Sequence, residues 1–218
     1  MKNTVNKQKH SPTKTALIGA LLTLIGGFFV FYNYIESKKI VAYDYMAHQF
    51  YQKPELIDLG TFEILEEDDF YRPNQGELSN EITDEYIGYL MIPKINLTKG
   101  FLDSRSHENN VDKNIMVIIG SDYPDVEKGN FMIAGHSGNG WKAFFNELYK
   151  LVIGDSIYID YKGKRYTYQI NNIYTQPKTG KLAVYRNENQ TTLTLITCTN
   201  NSTTTQTIYI AEQINIEE

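Results

Sequence analysis

The stretch Thr194-Leu195-Ile196-Thr197-Cys198 ends in the single cysteine of this 218-residue chain. Its apolar and β-branched residues predict a strand, and the strand signal covers residues 192–198. One thiol cannot form an intramolecular disulfide, so Cys198 does not cross-link the fold. Taken alone, a single free cysteine is more typical of a buried structural thiol. The alternative is a nucleophile, which requires a base or a cation close to the sulfur.

A histidine lies upstream of this cysteine in the run Ala134-Gly135-His136-Ser137-Gly138. A lone histidine in a strand is most often a structural residue with its hydrogen bonds satisfied. The flanking glycines, however, indicate a close approach of the backbone at the end of a strand. Two strands of one barrel can bring His136 and Cys198 together although they are distant in sequence.

Short β-rich segments separated by turn residues occupy most of the second half of the chain. One segment, Trp141–Leu151, has apolar side chains at helical spacing and predicts a helix. Many short strands with a single helix favour a closed or partly closed β-barrel. Besides 192–198, the predicted strands are 86–92, 115–119, 130–134, 156–161, 165–174 and 207–213.

Residues 15–35 carry no charge and read TALIGALLTLIGGFFVFYNYI. As an α-helix this stretch is about 32 Å long, close to the roughly 30 Å hydrocarbon core of a membrane. A cleaved signal peptide is the alternative, but its apolar region is shorter and ends at a site of small residues. We therefore predict a retained, single-pass membrane helix. The four lysines of residues 1–14 favour a cytoplasmic N-terminus and an extracellular remainder.

The segment between the membrane helix and the barrel combines a short helix with an acidic linker. The helix is expected to end near Pro54, and His48 within it is predicted to be solvated. The acidic run 66–69 lacks the alternating oxygen ligands and the turn glycine of a calcium loop, which favours a solvated linker. The predicted parts of the chain are a cytoplasmic tail 1–14, a transmembrane anchor 15–35, the juxtamembrane helix and linker 36–85, and a compact domain 86–218.

The charge balance excludes one class of partner. The chain has a net charge of −5, and without the four N-terminal lysines 17 basic residues stand against 26 acidic ones. Nucleic-acid binding requires a basic surface, so we expect none.

Three motifs together resemble a known family. The segment YIGYLMIPKI at 86–95 resembles the opening strand of sortase domains, AGH at 134–136 their histidine strand, and TLITC at 194–198 their TLxTC cysteine strand. Sortases are membrane-anchored cysteine transpeptidases of Gram-positive bacteria. The resemblance implies an all-β fold, a closed eight-stranded β-barrel with one or two short helices, preceded by the N-terminal transmembrane helix. It leaves the class open, because the juxtamembrane helix is class B-like and the opening strand resembles class A or D.

The resemblance also implies the chemistry. As sortases are understood to work, Cys198 attacks the Thr–Gly bond of an LPxTG-like sorting signal, and His136 protonates the leaving amine. An amine, typically on a peptidoglycan precursor or another pilin, then resolves the thioacyl enzyme. Segment 175–190 corresponds to the loop that shapes the sorting-signal pocket. The expected partners are surface proteins or pilins that bear the signal, the amine acceptor and the membrane, with no cofactor and no metal.

The chain departs from the family at one position. Sortases carry an arginine on the strand after the cysteine, whose guanidinium binds the substrate carbonyl and the developing oxyanion. Between Cys198 and residue 218 this sequence contains no arginine and no lysine. Alignment of the last strand places Gln206 at the arginine position, and Arg186 is the alternative donor. An alignment slip or an impaired enzyme stays open.

Two other functions remain compatible with these residues. One is a catalytically silent sortase-like domain that binds sorting signals, which the missing arginine favours. The other is a cysteine peptidase that uses water as the acceptor, which the residue types alone do not distinguish from a transpeptidase.

Overall fold

The computed structural model describes residues 12–52, 84–138 and 140–218. Most of the predicted cytoplasmic tail, the predicted helix end near Pro54 and the acidic linker up to residue 83 lie outside these residues. The chain divides into two compact units, of which the second is Val41–Glu218.

Eight strands form one sheet that curls into a nearly closed barrel, as predicted. Their order in the sheet is β2-β1-β5-β6-β8-β7-β4-β3. All neighbouring strands are antiparallel except β4 and β7, which are parallel. The strands are β1 (Gly88–Ile92), β2 (Leu97–Phe101), β3 (Met116–Val117), β4 (Asn130–Ala134), β5 (Ser156–Tyr161), β6 (Lys164–Pro177), β7 (Thr192–Cys198) and β8 (Thr205–Glu217).

The barrel interior is filled by aliphatic and aromatic side chains from every strand. Phe101 of β2 packs against Phe131 of β4 with ring centroids 5.1 Å apart. Tyr161 of β5 stacks on Tyr123 at 5.4 Å. Because inward and outward residues alternate along a strand, this core fixes the register of each strand and thereby the positions of the residues at the strand ends.

The paired strands β6 and β8 form the longest ladder in the barrel, and one end of this ladder lies beside Cys198 at the end of β7. Its register runs from Arg165↔Glu217 to Pro177↔Thr205 and contains two irregularities, between Thr167 and Tyr168 and between Ile170 and Asn172. Such bulges bend a strand and increase its twist.

The predicted helix Trp141–Leu151 is wrong. The segment forms turns and a short 3₁₀ helix, Leu148–Lys150. The backbone N–H of Phe145 donates to the carbonyl of His136 at 2.9 Å, so it is not used in an α-helical turn. The apolar residues of the segment still fill the core, since Phe145 and Leu148 are buried.

Helix α1 spans Pro12–Gln52 and contains the predicted membrane segment. By length and composition, its residues from Ala16 onward could cross a membrane, and this is the one such helix in the part of the chain that the structure describes.

The last residues of α1, which belong to the second unit, contact the barrel through buried ion pairs. Asp44 accepts a hydrogen bond from the ammonium of Lys99 at 2.8 Å. Burial lowers the pKa of Lys99, and the carboxylate of Asp44 opposes that shift. Lys99 lies in β2, the strand that the sequence did not predict. A lysine and a glycine weaken the strand signal there, although the pairing with Asp44 makes burial of the lysine possible.

A second buried cluster surrounds Asp160 of β5. The guanidinium of Arg165 donates to both of its carboxylate oxygens at 2.8 and 2.9 Å, and Nε2 of His48 lies 2.8 Å from Oδ2. Burial alone would raise the pKa of Asp160, but these hydrogen bonds outweigh it and hold the pKa well below its usual range. The prediction that His48 is solvated is therefore wrong, because this side chain is buried against a carboxylate on β5.

Candidate active site

Cys198 is the last residue of β7, where the strand leaves the barrel. The preceding six residues of the strand are buried, whereas Cys198 is only partly buried. The strand therefore anchors the cysteine rigidly while its thiol lies at the surface. This placement does not fit an inert thiol enclosed in the core.

His136 is held at the level of Cys198 by the only parallel pair among the described strands. The register of that pair runs to Ala134↔Ile196, and two further residues on each strand lead to His136 and Cys198. The pairing continues beyond the strand, because the N–H of Gly135 donates to the carbonyl of Ile196 at 3.1 Å. In a parallel pair both strands end at the same edge, so the two residues emerge side by side.

Side-chain hydrogen bonds reinforce this edge. The hydroxyl of Thr197 donates to the carbonyl of Gly135 at 2.9 Å, and that of Ser137 donates to the carbonyl of Cys198 at 2.7 Å. A Cβ atom on Gly135 would lie 2.8 Å from the buried ring of Phe145. The glycine before His136 is thus required by close packing, as predicted. For Gly138 the prediction of a close approach is wrong, because nothing lies within 4 Å of an added Cβ atom and the glycine is explained by its positive φ of 134°.

The imidazole of His136 has a carboxylate partner that the sequence did not single out. Its Nε2 lies 2.9 Å from Oδ1 of Asp112, in the loop between β2 and β3. A carboxylate can only accept, so Nε2 carries the hydrogen and Nδ1 is the other ring atom available for proton transfer. Among the described residues no hydrogen bond joins the imidazole to the sulfur of Cys198.

Gln206, which the alignment assigns to the arginine position, lies opposite Cys198. The antiparallel pair β7–β8 has the register Cys198↔Gln206, and β6 adds Gln176↔Gln206. Residues directly opposite on antiparallel strands have their side chains on the same face of the sheet. Two glutamine amides therefore continue the row that begins at the thiol.

Arg186 does not lie near Cys198. Its guanidinium donates to the carbonyls of Lys128 and Gln190 at 3.1 and 3.3 Å. These residues precede β4 and β7 directly, at the opposite end of the strands from the thiol. Cys198 lies six residue steps along the strand from Thr192, which corresponds to about 20 Å.

The cation nearest to the thiol comes instead from Lys178, directly after β6. Its ammonium nitrogen Nζ lies 3.2 Å from the sulfur of Cys198. The backbone N–H of the same residue donates to the carbonyl of Thr204 at 2.8 Å, which ties the start of the β6–β7 loop to the loop before β8. The sequence indicated that no arginine or lysine follows Cys198, but it did not single out Lys178.

A tyrosine organises the rest of this loop. The hydroxyl of Tyr174 donates to the carbonyl of Ala183 at 2.8 Å and accepts from the N–H of Tyr185 at 2.9 Å. The two tyrosine rings lie 5.1 Å apart. The loop thus has defined contacts although it contains no regular secondary structure.

A model of the sortase domain family matches residues 90–214, more than half of the chain. The chain belongs to the sortase family. Sortase A of Bacillus anthracis is 25% identical over 190 residues, which cover 84% of this chain and 86% of that protein. Among solved structures, the Clostridium perfringens sortase D5 transpeptidase is 29% identical with a TM-score of 0.53, covering 62% of this chain and 83% of its own. Sortase A from Corynebacterium diphtheriae is 21% identical with a TM-score of 0.54, covering 61% of this chain and 62% of its own.

In this sortase the barrel edge brings together side chains of the types that acyl transfer uses. The thiol of Cys198 lies beside a cation, a histidine follows the neighbouring strand, and the amide of Gln206 lies opposite the thiol. No cluster of three or more metal-binding side chains occurs among residues 12–52, 84–138 and 140–218.

Proposed function

We propose that this sortase is a cysteine transpeptidase in which Cys198 is the nucleophile and His136 the general acid and base. The thiolate attacks the carbonyl carbon of the Thr–Gly bond in an LPxTG-like signal, and a C–S bond forms as the electron pair moves to oxygen. The tetrahedral oxyanion collapses, the C–N bond breaks, and the leaving amine takes a proton from His136. An acceptor amine then attacks the thioester, His136 removes its proton, and the thiolate leaves.

The observation that carries this proposal is the shared position of Cys198 and His136 at the end of the parallel pair β4–β7. Both residues follow buried strands whose register the core fixes. A nucleophile and a base on rigid elements keep the geometry that proton transfer requires. That arrangement supports turnover more than it supports a silent binding domain.

Gln206 is proposed to donate a hydrogen bond to the carbonyl oxygen as it becomes negative. Its register position opposite Cys198 supports this role. A neutral amide stabilises an oxyanion less than a guanidinium does, because it carries no net charge. Arg186 is not proposed for this role, since its guanidinium is bound to carbonyls at the other end of β7.

The partners and the topology are proposed from the family and from helix α1. Sortases are membrane-anchored and act on surface proteins or pilins. We place residues 1–14 in the cytoplasm, residues 15–35 in the membrane and the barrel outside the cell. The acceptor is then an amine of the cell wall or of a pilin subunit, and the peptide is a sorting signal.

The test uses the full-length protein in detergent with a panel of sorting-signal peptides, with and without an amine acceptor. Intact-mass measurement should show a thioacyl adduct on the wild type, and product analysis should show the ligated amide. Cys198→Ala should show neither. Because the chain has one cysteine, the adduct has one possible thiol.

Each other outcome assigns a different function. Cleavage without ligation at saturating amine would identify a cysteine peptidase that uses water. Peptide binding without adduct or product would identify a silent binding domain. Product formed by Cys198→Ala would refute the nucleophile itself.

A further inference from the structure

We infer that Lys178 is a catalytic residue of this sortase. It supplies positive charge next to the thiol in a chain that lacks the family's arginine. The inference rests on the proposed function, because it assigns a role within that reaction. Its structural basis is the contact of 3.2 Å between Nζ of Lys178 and the sulfur of Cys198.

The backbone holds the root of this side chain in place. Pro177 is the last residue of β6 and is paired with Thr205 of β8. The N–H of Lys178 donates to the carbonyl of Thr204 at 2.8 Å, and the N–H of Thr179 donates to the carbonyl of Pro177 at 3.1 Å. The β6–β8 pairing therefore fixes the position of the Lys178 backbone. The flexible side chain extends from this fixed point, at the end of a strand near Cys198.

This ammonium has no carboxylate partner in the described part of the chain. Among the residues that the structure describes, Lys178 forms no ion pair with an aspartate or a glutamate, whereas Lys94, Lys99, Lys113, Lys150, Lys162 and Lys164 each have one. Lys178 thus differs from most other lysines of the barrel in having a sulfur as its partner. The thiolate is the form of cysteine that attracts a cation, and it is the nucleophilic form.

The same charge has a use in each step of the reaction. In the free enzyme the ammonium stabilises the thiolate that attacks the carbonyl carbon. Once the C–S bond has formed, the sulfur carries no charge, and the ammonium is free to interact with the adjacent oxygen that has become negative. The oxygen loses its negative charge when its electron pair re-forms the C=O double bond and the C–N bond breaks. Lys178 acts in these steps through its charge alone and takes no part in proton transfer.

This assignment divides the role of the family's arginine between two residues on different elements. Gln206 on β8 occupies its place opposite the thiol and offers a directed hydrogen bond. Lys178 after β6 supplies the charge but, as a point charge, no fork of fixed donors. The geometry therefore points to Lys178 as the group that sets the reactivity of the thiol, with Gln206 responsible for oxygen recognition.

The experiment measures the rate at which iodoacetamide alkylates Cys198 in the full-length protein, a readout that needs no peptide substrate. Lys178→Met removes the charge and keeps the length, Lys178→Arg keeps the charge, and Lys181→Met removes a nearby lysine of the same loop. At neutral pH and low salt, Lys178→Met should react about three- to tenfold more slowly than the wild type, because the attacking sulfur loses the positive charge 3.2 Å away. Lys178→Arg and Lys181→Met should react like the wild type.

Salt provides a readout that a merely structural role would not change. Raising the ionic strength to about 1 M should slow the wild type towards the Lys178→Met rate and leave that variant nearly unchanged. An alkylation rate of Lys178→Met equal to that of the wild type would overturn the inference, as would Lys178→Arg reacting as slowly as Lys178→Met.

The two proposals fail separately. If no variant ligates peptide to amine but alkylation still depends on the charge at residue 178, the proposed function fails and the cation at the thiol stands. If the wild type and Lys178→Met ligate peptide with equal kcat, Lys178 is not catalytic and the transpeptidase stands.

Discussion

The carboxylate of Asp112 and the imidazole of His136 are joined by a hydrogen bond of 2.9 Å. The carboxylate comes from an exposed loop and the imidazole from the end of a strand. A carboxylate that accepts from one ring nitrogen fixes the orientation of the ring and the nitrogen that carries the hydrogen. Asp112 is therefore a positioning residue for the proposed acid and base.

Asp112→Ala should lower kcat/KM for transpeptidation by about three- to tenfold, a modest loss because the carboxylate is exposed to solvent. Alkylation of Cys198 should not change, since Asp112 contacts the imidazole and not the sulfur. Lys113→Ala, one residue along, is the control and should leave kcat/KM unchanged. Equal activity of Asp112→Ala and the wild type would show that this hydrogen bond has no role in the reaction.

Gln206→Ala should reduce kcat by about ten- to a hundredfold, because one donor to the oxyanion is lost. The Tm should stay unchanged, since Gln206 lies near the start of β8 and outside the barrel core. Arg186→Ala is the matched control, and its turnover should equal that of the wild type. The reverse pattern, with Arg186→Ala slow and Gln206→Ala normal, would move the donor to Arg186 and require the loop to rearrange on binding substrate.

Gly135→Ala should destabilise the protein and slow turnover together. The added methyl would lie 2.8 Å from the buried Phe145 ring, which cannot move without disturbing the core. Overpacking of this kind lowers the Tm by about 5 °C in a domain of this size. Gly140→Ala is the control, because no atom lies within 4 Å of its added methyl. A Gly135→Ala protein with normal Tm and normal turnover would contradict the close packing.

The ionised carboxylate of Asp160 makes the free energy of unfolding depend on pH in the acid range. Its pKa is lower in the folded than in the unfolded protein, so the folded state binds fewer protons there. The ionised carboxylate thus stabilises the fold at all pH values above its unfolded pKa of about 4, and this contribution is lost as the pH falls further.

The Tm of the wild type should consequently fall steeply below about pH 4, and that of Asp160→Asn should fall less steeply. At neutral pH the substitution should cost about 2–4 kcal/mol, because it leaves Arg165 without its charge partner. Glu147→Gln, which breaks an exposed pair with Lys150, should leave the Tm unchanged at either pH. Parallel pH profiles for the wild type and Asp160→Asn would rule out Asp160 as the source of the acid sensitivity.

Strands with clear boundaries were predictable to the residue. The predicted limits of β4, β5 and β7 agree with the structure, because turn residues flank runs of β-branched and apolar side chains. Strand β2 was missed because the burial of Lys99 depends on Asp44, a residue of helix α1 that is distant in sequence but in contact with it. The helix predicted over 141–151 is wrong because the N–H of Phe145 donates to the carbonyl of His136. The spacing of apolar residues contains no information about that contact.

The candidate site was predictable only where a motif marks it. The motifs pointed to Cys198 and His136, and the alignment pointed to Gln206 at the arginine position. That Gln206 lies opposite the thiol is known only from the register of β7 and β8. Asp112 and Lys178 lie in no motif. An aspartate or a lysine in a polar loop is usually solvated, so the sequence offered no reason to select them. Their contacts with His136 and Cys198 follow from how the barrel brings loops together.

The contact between Lys178 and the thiol has a consequence for how this sortase could diverge. A cation on a strand, as in other sortases, stays in place when neighbouring loops are replaced. Here the ammonium belongs to the same loop as Ala183 and Tyr185, which Tyr174 holds in position. A chimera that receives this loop from a relative with a different peptide preference would also exchange the nucleophile's charge partner. Under the proposed roles, specificity and reactivity would be inherited as one unit, and selection on either would alter the other.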